Sequence, residues 1–249
     1  MKTSTTKAPK APDSLAIALM GDAGTGKTSL ALRFPKPGVL DLDGNLDGPT
    51  AYLGRIKAPQ DYVYVQPLLD KAGKPLPMDR TVRDRIFDGL RELTASPSVR
   101  TIIIDSGTKL SECFVMWILA AQNAELMDVA YWKPWRAQML KVVHEGRNAG
   151  KHFIWIIHEQ PVYGPRPPKS YDPPPRIGVE MSMPTRLSEQ FGFTFTDVWR
   201  AARVGVGRSM RLELRFVSDG EACLKNSIGL VDPIPMDWTK LEPLLKGRL

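Results

Sequence analysis

Apolar and polar positions along this chain switch repeatedly between strand and helix periods. Leu15 to Met20 is a short apolar run ending at a glycine, which predicts a strand buried on both faces. Lys27 to Phe34 predicts a helix stopped by Pro35, and Gly38 to Leu42 and Asp61 to Gln66 predict a second and a third strand. Between Asp79 and Ala95, Val82, Ile86, Leu90 and Leu93 recur at helical spacing and predict an amphipathic helix. Thr101 to Ile104 is a very apolar strand closed by Asp105. Two helices follow, over Thr108 to Met127 and over Pro134 to Ala149, the second ended by Gly150. Phe153 to Ile157 predicts a fifth strand.

The pattern changes at Pro161. Eight prolines fall between Pro161 and Pro184, a density that predicts a mobile loop without regular structure. Beyond it, Phe193 to Val204 and Arg208 to Val217 predict a hairpin around Gly205 and Gly207. Ala222 to Lys225 adds a third strand signal, and Trp238 to Leu245 predicts a short closing helix. Strands alternating with helices predict an α/β fold, a mostly parallel sheet flanked by helices, with a C-terminal antiparallel β-hairpin at one edge. No linker divides the chain, so residues 14–249 are expected to form one core behind a disordered basic tail over residues 1–13.

Composition narrows the function classes. The 249 residues are 43% hydrophobic, enough for a well-buried core. Lys plus Arg number 34 against 27 Asp plus Glu, a formal charge of +7, which is compatible with a nucleic-acid partner without requiring one. The longest apolar run, Cys113 to Ala121, falls far short of the roughly 20 residues a membrane span needs, so no membrane partner is expected. Cys113 and Cys223 exclude a disulfide scaffold and read as buried thiols in a reducing compartment. His144, His152 and His158 have no metal-ligand spacing.

The chemistry-bearing signal is Gly21-Asp22-Ala23-Gly24-Thr25-Gly26-Lys27-Thr28, a full G-x-x-x-x-G-K-[ST] loop between an apolar strand and a helix. Its glycines let backbone N–H groups converge on phosphate oxygens, and the helix aims its positive end at the same anion. Lys27 brings a charge to the β and γ phosphates of ATP, and Thr28 a hydroxyl to Mg2+. Asp105 leaves its strand at the end where ligands of open α/β sheets bind, and is the second candidate Mg2+ group. Strand alternation puts Asp41 and Asp43 on the same face of the chain as it leaves the second strand. One of them is expected to orient the attacking water, and Asp43, further out, is the better candidate. His158 ends the fifth strand at the same sheet edge and is positioned to sense the γ-phosphate.

These motifs together resemble the RecA-like P-loop ATPases, and more narrowly the phage-encoded members of that superfamily, which include Sak-type single-strand annealing proteins. The similarity covers roughly residues 14 to 230. It implies an ATPase using ATP and Mg2+, self-assembly into a ring or filament, single-stranded DNA as partner, cooperation with a single-stranded-DNA-binding protein, and a place in phage recombination in the bacterial host cytoplasm. Asp43 stands where the family usually has a glutamate, which implies slow or DNA-stimulated hydrolysis. His158 stands at the polar sensor. Lys225-Asn226-Ser227 lies where relatives often show Lys-x-Arg reaching into a neighbouring subunit's ATP, so Lys225 is the intersubunit candidate.

Relatives face DNA with loops after the sensor strand. In this chain the Pro161 to Pro184 segment carries Arg166, Lys169 and Arg176 interleaved with Tyr163 and Tyr171, cations for phosphates and rings for unpaired bases. Trp132, Lys133, Trp135 and Arg136 form a second patch, for which helix-core tryptophans are the simpler reading. Two other function classes stay open at this point: a small-molecule P-loop kinase, and a nucleotide-gated assembly or regulatory ATPase without DNA.

Overall fold

The computed structural model describes residues 14–165, 174–183, 191–218 and 222–249. In chain order its elements are β1 (Ala16–Gly21), α1 (Lys27–Ala31), β2 (Pro37–Asp41), α2 (Asp47–Arg55), β3 (Val63–Val65), α3 (Val82–Ala95), β4 (Thr101–Asp105), α4 (Gly107–Gln122), α5 (Trp132–Asn148), β5 (His152–Tyr163), β6 (Arg176–Met181), β7 (Asp197–Val204), β8 (Arg211–Arg215), β9 (Ile234–Pro235) and α6 (Trp238–Leu241). Among the described residues the strands form one sheet in the order β3-β2-β4-β5-β1-β7-β8-β9, with β6 paired to the outer half of β5. Every neighbouring pair from β3 to β7 is parallel, while β7–β8 and β8–β9 are antiparallel. The chain thus adopts the α/β arrangement expected from its sequence, a mostly parallel sheet flanked by helices, antiparallel hairpin included.

The parallel strands are apolar on both faces because helices cover both. β1, β2 and β4 are buried at every residue. On one face α3 contributes Val82, Ile86, Leu90 and Leu93, α4 Leu110, Phe114 and Ile118, and α5 Trp135, Met139 and Val142, all packed on Leu40, Ile102, Ile104, Phe153 and Trp155. Burying each such side chain is worth about 1.5–3 kcal/mol, so α3 is held by its stripe rather than by intrinsic propensity. On the other face Leu30 of α1, Leu53 of α2 and Trp238 and Leu241 of α6 cover Ile17, Ile103, Ile156 and Trp199. The P-loop helix and the C-terminal helix therefore share one side of the sheet.

Several elements differ from the sequence reading. The proline-rich segment is not devoid of regular structure: β5 runs on through Pro161 to Tyr163, and its last five residues pair antiparallel with β6. Beyond Glu159 the only described partner of β5 is β6, so an N–H lost at Pro161 need not break a ladder on the open side. α2 escaped notice because Gly48 and Pro49 read as a turn. Both lie in its first turn, where proline's missing N–H costs nothing, and Leu53 is its single buried anchor. The strand expected at Ala222 to Lys225 is reduced to one bridge, Val198 to Lys225, and the third antiparallel strand is β9 instead. The closing helix turns from α to 3-10 form at Glu242, with Pro243 in its first turn. Cys113 is buried as expected, but Cys223 is exposed. Residues 1–13, expected as a disordered tail, lie outside the described residues.

At the end of the sheet away from the P-loop, His152 is buried and its Nδ1 accepts a hydrogen bond from the Leu15 N–H at 3.2 Å. Burial, with the nearby Arg100 charge second, lowers its pKa below the ordinary 6.5. The unfolded chain therefore takes up a proton near pH 6.5 that the folded chain refuses, so this contribution is complete above pH 6.5 and is lost as pH falls below it. His152→Gln is expected to flatten that loss. Urea midpoints at pH 7.5 and 5.5 that shift equally in the wild type and the variant would count against it.

Candidate functional site

Gly21 ends β1 beneath the β7 backbone. A Cβ on Gly21 would lie 2.4 Å from the Ala201 carbonyl oxygen, so only glycine admits this approach. Gly24 adopts φ +69°, and a Cβ there would meet Arg203 Nη2 at 2.8 Å. The loop turns back through Thr25, whose hydroxyl donates to the Asp22 carbonyl at 2.8 Å. Lys27 opens α1 and is 5% exposed. Its ammonium donates to the carbonyls of Gly21 at 2.8 Å and Asp22 at 2.7 Å. Burial lowers its pKa to about 8, against the opposing attraction of Asp105, Glu159 and Asp22. The charge is thus held by the loop's own oxygens at the mouth of a cavity.

Thr28 faces the sheet from the next position. Its hydroxyl donates to Asp105 Oδ2 at 2.7 Å, joining the first turn of α1 to the end of β4. Burial pushes the Asp105 carboxyl up to about 7; the Thr28 bond works the other way, while Asp43 and Asp41 add to the rise. An acid held this far above its ordinary range is one that a divalent cation would return to its ionised form.

Asp41 and Asp43 do not share a face. Asp41 is the last residue of β2 and is 2% exposed. Its Oδ1 accepts from the N–H groups of Asp43 at 3.2 Å and Gly44 at 2.9 Å, and its Oδ2 accepts from Tyr64 Oη at 3.0 Å and Gln66 Nε2 at 3.3 Å. With four donors on two oxygens, Asp41 ties the β2 exit to the β3 edge. Asp43 lines the cavity with Lys27, Thr28, Asp105 and His158. His158 is paired with Gly21 across β5 and β1, and its N–H donates to Thr108 Oγ1 at 3.1 Å. Its pKa is lowered by burial first and by Lys27 next.

The cavity encloses about 590 Å³. It runs from the loop residues Ala23 to Thr28 to an apolar end bounded by Tyr52 of α2, by Ile56 just after that helix, and by Leu212, Met236 and Trp238. Sequence reasoning missed this second end because its walls come from three separated segments. It also missed the ion pair at the base of the β5–β6 arm. There Arg200 Nε lies 2.9 Å from Glu159 Oε2 and Nη2 3.2 Å from Oε1, the two side chains 7% and 10% exposed. The residue after His158 is thereby clamped to β7.

The DNA candidates divide. Tyr163 and Arg176 sit at the described end of the arm, both exposed, while Arg166, Lys169 and Tyr171 lie outside the described residues. Lys225 does not line the nucleotide cavity: its ammonium donates to the Phe195 carbonyl of its own chain. In the second patch Trp135 is 1% exposed and its indole N–H donates to the Ser111 carbonyl at 3.1 Å, so it is core as read.

The Thr28 hydroxyl and Asp105 carboxylate are hard oxygen donors, which suits Mg2+. Among the described residues no group of three or more His, Cys, Asp or Glu side chains is arranged to hold a metal, so phosphate oxygens and water would complete the shell. No described helix is long and apolar enough to cross a membrane.

A family model described as an AAA domain matches residues 13–191. No curated protein matches the sequence. Among solved structures, a KaiC-like protein from the hyperthermophilic archaeon Pyrococcus horikoshii OT3 is 12% identical, with 85% of this chain and 83% of that one covered at a TM-score of 0.47. A RadB recombinase is 13% identical, with 84% of this chain and 85% of that one covered at a TM-score of 0.44.

Proposed function

The chain belongs to the AAA-domain family, and from that premise we propose that it hydrolyses ATP and binds single-stranded DNA, acting in phage recombination or annealing as a homo-oligomer. The observation that supports it best is one cavity holding a P-loop lysine, a Thr28–Asp105 pair and a second carboxylate, Asp43. In this reading the loop N–H groups and Lys27 bind the β and γ phosphates. Mg2+, held by Thr28 and Asp105, supplies charge neutralisation when bound. The apolar end between Tyr52 and Met236 takes the base. Asp43 orients a water whose oxygen bonds to the γ-phosphorus as the bridging P–O bond breaks. ADP leaves with that electron pair, and the water's proton passes through Asp43 to solvent.

DNA enters the reading through the arm. β5 carries His158 at the nucleotide and Tyr163 five residues after it, so in this reading one strand connects the γ-phosphate sensor with an exposed aromatic. The Glu159–Arg200 clamp sits between the two. Replacing Arg166, Lys169 and Arg176 together by Ala is expected to weaken single-stranded-DNA binding. Each lost phosphate contact lowers the log–log salt slope by about 0.7. Tyr163→Ala and Tyr171→Ala are expected to cost about 1–3 kcal/mol per stacked base with the slope preserved. A triple variant with wild-type affinity and slope removes this segment from the DNA site.

The test of the whole reading is the ATPase rate with and without single-stranded DNA. Stimulation supports it. A rate indifferent to DNA favours a nucleotide-gated assembly protein, and a phosphorylated small-molecule product favours a kinase.

A further inference from the structure

The described arginine side chains of β7 and β8 fall into two groups. Arg200 is paired with Glu159, and Arg211 and Arg215 both face Glu213. Arg203 faces no carboxylate within ion-pair distance among the described residues. Trp199 and Ala201 belong to the core on the α1 side of the sheet, and strand alternation puts Arg203 on that same side. Its Nη2 donates to the carbonyl of Ala23 at 2.7 Å, 180 residues earlier in the chain. Lys27 holds the carbonyls of Gly21 and Asp22, so two cations sit on three consecutive carbonyls of one phosphate loop. The side chain is nonetheless exposed and borders the cavity through Ala23 and Gly24, which line it, rather than lining it itself; a guanidinium has five N–H donors, of which Ala23 takes one.

We propose that Arg203 is a second cation of the ATP site, acting within its own subunit on the charge that develops during hydrolysis rather than on the bound ground state. The inference rests on the ATPase reading above and assigns it a residue that no motif marks. Two features support it beyond the contact itself. Gly24 leaves the space that the guanidinium fills, since a Cβ would lie 2.8 Å from Nη2. The Arg203 charge also reaches Lys27, where it adds a little to the lowering that burial causes and works against the attraction of Asp105, Glu159 and Asp22. As the bridging P–O bond breaks, negative charge grows on the phosphate oxygens, and a fixed planar cation stabilises it without reorganising. The hydrolytic step is otherwise as written above, with Arg203 neither gaining nor losing a proton.

The experiment compares wild type, Arg203→Ala, Arg203→Lys and Lys27→Ala for ATP affinity, kcat and thermal unfolding. Arg203→Ala is expected to lower kcat by about 10³-fold while ATP affinity and unfolding temperature stay near wild type. Arg203→Lys keeps the charge but not the planar fork and is expected to recover only part of the rate. If Arg203 merely propped the loop, affinity would fall along with kcat, and that result overturns the proposal. A mixture of Arg203→Ala and Lys27→Ala chains is expected to show no more than the sum of their separate rates. Recovery on mixing would mean that the cation serves a neighbouring subunit, and also overturns it. Wild-type chain that binds ATP without hydrolysing it, with or without DNA, overturns this inference and the ATPase reading together. An active wild type with Arg203→Ala within about threefold of its kcat overturns this inference alone.

Discussion

Lys27→Ala is expected to abolish tight ATP binding in a chain that stays folded. The Lys27 ammonium is buried on two loop carbonyls with no carboxylate in direct contact among the described residues, and burial has already lowered its pKa to about 8. Holding that charge in the free protein is therefore unfavourable, and it becomes favourable when phosphate arrives. Removing it strips the bound state of charge-assisted hydrogen bonds worth about 1.5–3 kcal/mol each, roughly one to two orders of magnitude in affinity per bond. The free state loses little. The Asp22 carbonyl keeps the Thr25 hydroxyl as a donor. Titration with a fluorescent ATP analogue, alongside thermal unfolding, checks both halves. Unchanged nucleotide affinity in a folded variant would remove the phosphate-loop assignment.

Asp43→Asn is expected to leave ATP binding intact and to reduce hydrolysis by about 10²–10⁴-fold, the usual contribution of a positioned general base. The amide keeps the shape of the side chain and removes the carboxylate that takes the water's proton. Asp41→Asn should behave differently. Asp41 accepts from Asp43, Gly44, Tyr64 and Gln66, and an amide can accept at only one of its two positions. At least one of these donor groups then meets an NH2. That variant is expected to lose about 1–3 kcal/mol of stability as well as activity, because the turn presenting Asp43 is no longer held. Urea unfolding together with single-turnover hydrolysis separates the two. The assignment of Asp43 is wrong if Asp41→Asn keeps full stability and loses hydrolysis while Asp43→Asn remains active.

The contrast between these two aspartates shows where sequence reasoning stops. Strand alternation applies only while the backbone stays pleated. Asp41 is the final residue of β2, and from Leu42 onward the chain leaves the sheet, so a two-residue spacing no longer implies a common face. The choice of Asp43 as the cavity-lining carboxylate was legible from its distance along the chain. The role of Asp41 was not, because its partners Tyr64 and Gln66 come from β3 and the residues after it. The arm was hidden for a related reason. Proline density argues correctly against a central strand, but a two-stranded arm has open edges on which a missing N–H leaves no partner unsatisfied.

By itself the sequence determined whatever is local: the phosphate loop between its strand and helix, the apolar strands buried from both sides, the helical stripe of α3 and the carboxylate ending β4. Each depends on contacts within one turn, one pleat or one loop, where residue type and spacing are sufficient. Only the tertiary structure decided which polar groups meet across the chain. Glu159 faces Arg200 over the end of β1, the apolar end of the cavity closes between α2 and the C-terminal segment, and Arg203 reaches Ala23. Those meetings follow from the strand order, which seats β7 beside β1, and strand order is set by the burial of whole faces of helix and sheet rather than by any local run of residues.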